Sequence, residues 1–176
     1  MSLINNVSMK LSGTLKGKYG DAVPSIEIMR YSIKFLITNL TPILLILLIG
    51  FTTNNIINTL IAMIGFISLR LLSGGYHIAS AELCIIFSTV LVVGISNMSF
   101  LKDQWYLFQI ASLILVALFA PFNIKKSSRI KEKDYDKLKY AALTLIFIGS
   151  LFSNEILSVA FFAQSLTLIR LRGGDK

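Results

Sequence analysis

The sequence predicts an all-α, polytopic integral membrane protein: about six transmembrane helices preceded by an amphipathic interfacial helix. Three observations carry this. The 176 residues are 55% hydrophobic and only 15% charged, too apolar for an ordinary water-soluble domain. The apolar residues fall in successive runs divided by short polar breaks. The 17 Lys and Arg against 9 Asp and Glu collect in a few connections rather than spreading evenly. We therefore read residues 1–176 as a single membrane domain.

Residues 1–20 form the interfacial helix. Leu3, Ile4, Val7, Leu11 and Leu15 recur every three to four residues, and Lys10, Lys16 and Lys18 add positive charge. This pattern serves either a membrane-surface anchor or a docking surface for an amphipathic peptide. Gly13, Gly17 and Gly20 are expected to end the helix early. Pro24 is expected to open the next helix. The first span covers 31–51, with a kink expected at Pro42, which lacks an amide donor. After Thr52–Asn55 come 56–72, a Ser-Gly-Gly-Tyr interruption, then 79–98 and 105–122, the last opening on interfacial Trp105 and Tyr106. Two shorter runs, 140–152 and 156–169, close the chain and fall below the ~20 residues of a comfortable span.

The long polar connection, residues 123–139, is rich in Lys and Arg. With six spans it shares one side with both termini and the Gly-Gly region. Of the 17 basic residues, all but Lys102 lie on that side or at its edge. The positive-inside rule makes that side cytoplasmic. Topology thus accounts for the net charge of +8, and no nucleic-acid partner is expected. No cleaved signal peptide is expected either, because no charged segment followed by an apolar core and a small-residue site opens the chain. One cysteine excludes an intrachain disulfide and a Cys-rich metal centre. Neither a metal nor a cofactor is expected.

Chemistry concentrates between Arg70 and Cys84. The only His, His77, and the only Cys, Cys84, are separated by six residues. Such a pair suits a thiol nucleophile and its general base. In a regular helix they would share a face but stand ~10.5 Å apart along the axis, too far for direct contact. Gly74 and Gly75 permit the bent backbone that would return His77 toward Cys84. A Cys near a helix N-terminus would also gain from the helix dipole. Spacing alone equally fits an inert buried Cys and an unrelated interfacial His. Arg70 is either a snorkelling cation or a clamp on a substrate carboxylate. Glu82 lies ~200° around a helix from Cys84, which favours a packing, substrate or subunit contact over catalysis. Lys125 and Lys126 signal topology, or else bind an acidic peptide tail.

The string Arg70-x4-Gly75-x-His77-x6-Cys84, with Pro121 ending a span before Lys125-Lys126, resembles the accessory gene regulator B (AgrB) family. The resemblance extends over nearly the whole chain. It implies a membrane cysteine endopeptidase of bacterial quorum sensing that acts on an AgrD-like precursor peptide. By that likeness His77 and Cys84 are catalytic and Arg70 and Gly75 match positions the family often retains; with Gly74, Lys125 and Lys126 these last two are expected to bind substrate or support the site. Cys84 would hold the trimmed peptide as a thioester, and an internal Cys or Ser of the peptide would close a thiolactone or lactone ring. The lipid bilayer is the other expected partner. A homodimer is compatible with the family, although no sequence feature specifies one. The competing class is a small transporter or peptide-export partner without covalent chemistry.

Overall fold

The computed structural model describes residues 3–75, 80–98, 104–121 and 134–169, and all its regular structure there is helical. In chain order these are α1 (Leu3–Tyr19), a single 3₁₀ turn (Gly20–Ala22), α2 (Ile26–Thr52), α3 (Ile56–Ser73), α4 (Ala81–Ser96), α5 (Trp105–Phe119), α6 (Tyr135–Ser150) and α7 (Glu155–Leu166). The all-α expectation therefore holds for the described residues. Two helices, α2 and α3, are long and apolar enough to cross a membrane, whereas α4, α5 and α7 are apolar but shorter. At 12 residues α7 reaches only ~18 Å, against a hydrocarbon core of ~30 Å.

The chain divides into two compact units. One takes in Met1–Leu48 and His77–Leu91, the other Ile49–Tyr76 and Val92–Lys176. In the first, α1 continues to Tyr19, so Gly13 and Gly17 do not end it early. Neither glycine meets another part of the chain within van der Waals reach, so nothing there forces a break. The helix closes at Gly20, whose φ of +55° is left-handed and suits a residue without Cβ. Lys16 then ties the last turn to Asp21 and to the Val23 carbonyl. The buried face of α1 is Ile4, Ser8 and Ser12, while Leu3, Val7, Leu11 and Leu15 stay exposed. Small serines lie inward because their hydroxyls are satisfied by the Asn5 and Met9 carbonyls of the same helix. Ile4 packs with Ala81, Ile85 and Ile37.

Helix α2 begins at Ile26, five residues before the span read from hydropathy, because its opening residues include the charged Glu27 and Arg30. Pro24 lies outside it. Ser25 opens the helix instead, its hydroxyl accepting from the Ile28 amide and its carbonyl from the Met29 amide. The helix runs unbroken through Pro42.

The second unit is a helix bundle in which α7 packs on both α3 and α5, and α6 also packs on both. Its core comprises Leu69, Val116, Ala120, Ala142, Ile146, Phe161 and Leu168. Close approach depends on missing side chains. A Cβ on Gly65 would stand 2.8 Å from Leu157 and 3.3 Å from Ala160, and one on Gly50 would stand 2.8 Å from Thr59. Gly94, by contrast, faces open space. Buried polar groups answer to carbonyls: Thr59, Ser73, Ser112 and Ser158 each bond the backbone four residues earlier, and the Gln109 side-chain amide donates to the Ile146 carbonyl. Helix α6 starts at Tyr135, again earlier than the apolar run, after Asp134. Asp134 bonds Lys137 at 2.8 Å and raises its ammonium above the usual lysine range, chiefly through that hydrogen bond and then through its charge.

Candidate functional site

Cys84 sits on the first turn of α4, three residues after the helix begins. Its amide makes a helical bond to the Ser80 carbonyl at 3.0 Å. Ser80 caps the helix, its hydroxyl accepting from the Leu83 amide at 3.4 Å. The cysteine is half-buried. Helix α4 starts only at Ala81. His77 itself lies outside the described residues, as do Lys125 and Lys126.

Glu82 lies on the same turn. Its Oε1 accepts from the Ile4 amide at 3.2 Å, and its Oε2 from the Ser80 hydroxyl at 3.0 Å. Of the contacts expected for this residue, the structure shows the packing one.

Arg70, Gly74 and Gly75 are brought together in the other unit. Helix α3 ends at Ser73, and the Gly74 amide closes it on the Arg70 carbonyl at 3.0 Å. Gly74 has φ +76° and Gly75 φ +141°, values that side-chain-bearing residues rarely adopt. The expected break in regular helix is therefore present at these two glycines. Gly75 also has no room for a side chain, since a Cβ would lie 2.6 Å from Thr167 Oγ1 and 3.1 Å from Gln164 Nε2.

Gln164 joins these residues and was not singled out by the sequence. It is completely buried on α7. Its Nε2 donates to the Gly74 carbonyl at 2.7 Å, and its Oε1 accepts from Arg70 Nη1 at 3.4 Å. The Arg70 guanidinium also stands 5.9 Å from the Phe66 ring centroid, within cation–π range. One guanidinium nitrogen thus turns into the bundle. The only hint in the sequence was a long amide side chain inside an apolar run, where an unpaired polar group is costly.

The comparisons agree with the motif. The family model described as "Accessory gene regulator B" matches residues 4–171. An AgrB-like protein of Halalkalibacterium halodurans is 23% identical over 171 residues, covering 94% of this chain and 87% of that relative. No solved structure matches the chain.

Proposed function

Because the chain belongs to the AgrB family, whose members take part in processing the peptide of the accessory gene regulator quorum-sensing system, we propose that it is a membrane cysteine endopeptidase acting on an AgrD-like precursor. Cys84 attacks the carbonyl that joins the peptide to its C-terminal tail. His77 takes the thiol proton and returns it to the departing amine. The S–C bond formed is a thioester. An internal Cys or Ser of the peptide then attacks it, forming the ring and releasing Cys84. One activated acyl bond replaces another, so this exchange consumes no nucleotide. Arg70, Gly74 and Gly75 support the site, and Lys125 and Lys126 attract the acidic tail. The protein crosses the membrane six times, with both termini and the thiol on the cytoplasmic side.

The observation that carries this reading is the placement of the sole thiol on a capped first helical turn, in a chain matched by the family from residue 4 to 171. A helix N-terminus stabilises negative charge that develops on a carbonyl oxygen under attack. The test is co-expression with the cognate precursor and mass spectrometry of the products. Wild type should yield trimmed peptide or a peptide–enzyme adduct, and Cys84→Ala and His77→Ala should yield neither. Equal trimming by all three would overturn the peptidase reading and favour the transporter class.

A further inference from the structure

We infer that Glu82 is a positioning residue that makes α1 part of the turn bearing Cys84. The inference deepens the peptidase reading and rests on it. The Ile4 amide belongs to the first turn of α1, where backbone donors have no partner within their own helix. Glu82 supplies that partner from 78 positions along the chain. A carboxylate at this point also opposes the positive end of the α1 dipole. Its second oxygen holds the hydroxyl of Ser80, the residue whose hydroxyl caps α4 and whose carbonyl receives the Cys84 amide. One carboxylate therefore serves the starts of two helices, and the second start carries the nucleophile.

The side chains reinforce this link. Ile4 is 6% exposed and packs with Ala81 and Ile85, the residues flanking Glu82 and Cys84. Both the backbone and the side chain of Ile4 thus seat α1 on α4. The row left exposed on α1, Leu3, Val7 and Leu11, is a different face. The helix can present that row to a membrane or peptide while its other face braces the thiol.

The experiment uses the full chain in lipid nanodiscs. Its single cysteine means that iodoacetamide alkylation reads Cys84 alone. Rates are measured against pH for wild type, His77→Ala, Glu82→Ala, Glu82→Gln and Ile4→Pro. Glu82→Ala should displace the profile and change the rate by about fivefold, the effect expected from losing one helix cap. Glu82→Gln retains an acceptor oxygen for the Ile4 amide and should stay within about twofold of wild type. Ile4→Pro removes the donor at a first-turn position where proline is tolerated, and with it the buried side chain, and should match or exceed the effect of Glu82→Ala. A folded Glu82→Ala chain with the wild-type profile overturns the inference, provided His77→Ala differs from wild type. So does a defect in both Glu82 variants with none in Ile4→Pro, because α1 would then play no part. If Glu82→Ala does not fold, Ile4→Pro decides. A wild-type profile for His77→Ala instead sinks the dyad on which the peptidase reading rests.

Discussion

The two units are built differently. The second is held by interlocking helices, with Phe161, Leu69, Ile146 and Val116 almost wholly enclosed and glycines admitting neighbours at van der Waals distance. The first has the small cluster of Ile4, Ala81 and Ile85, and a hydrogen bond from α1 to Glu82 joins its helices. The thiol belongs to the thinly packed unit, while Arg70 and the glycine turn belong to the densely packed one. Reactive groups often reside where local opening is cheap, supported by rigid elements elsewhere. The contrast separates two settings: the bundle fixes the glycine turn, and the α1–α4 pair holds the thiol.

This comparison can be broken by mutation. Phe161→Ala should be the most destabilising change, costing about 3–5 kcal/mol as a large core side chain is removed, and should lower the thermal midpoint in detergent markedly. Ile85→Ala removes less from a thinner cluster and should cost ~2 kcal/mol at most. If the two variants melt alike, the difference in packing between the units is not energetic. Gln164→Leu should cost roughly 1–3 kcal/mol, since the Gly74 carbonyl loses its donor inside the bundle. An unchanged melting temperature would show that this carbonyl is satisfied some other way. The smallest change is Gly13→Ala, which meets open space and should stabilise α1 by about 0.5–1 kcal/mol, seen as slower amide exchange across that helix. Slower exchange in α1 without any change in Cys84 alkylation would separate helix stability from the Glu82 link.

Each apolar segment of the sequence falls on one of the described helices, but the ends of runs and helices differ. Helices α2 and α6 each start about five residues before their apolar runs. Charged and polar residues such as Glu27, Arg30, Asp136 and Lys137 are good enough helix formers to extend a helix beyond its greasy stretch. Hydropathy sees the stretch and not the helix. On α1 the apolar stripe was visible, but its buried face was not, because Ser8 and Ser12 count as polar until their hydroxyls are seen bonded to the helix's own backbone.

The residues of this chain by themselves determined the helical class, the break at Gly74–Gly75 and the family, since periodicity, glycine's freedom and a spaced His-Cys motif are all local properties. Tertiary structure alone decided what Glu82 and Gln164 do. Glu82 answers an amide 78 residues away, and Gln164 a carbonyl 90 residues away. In an apolar interior such a polar group must find a partner, yet which partner it finds depends on where folding brings distant backbone within ~3 Å, and no local pattern encodes that distance.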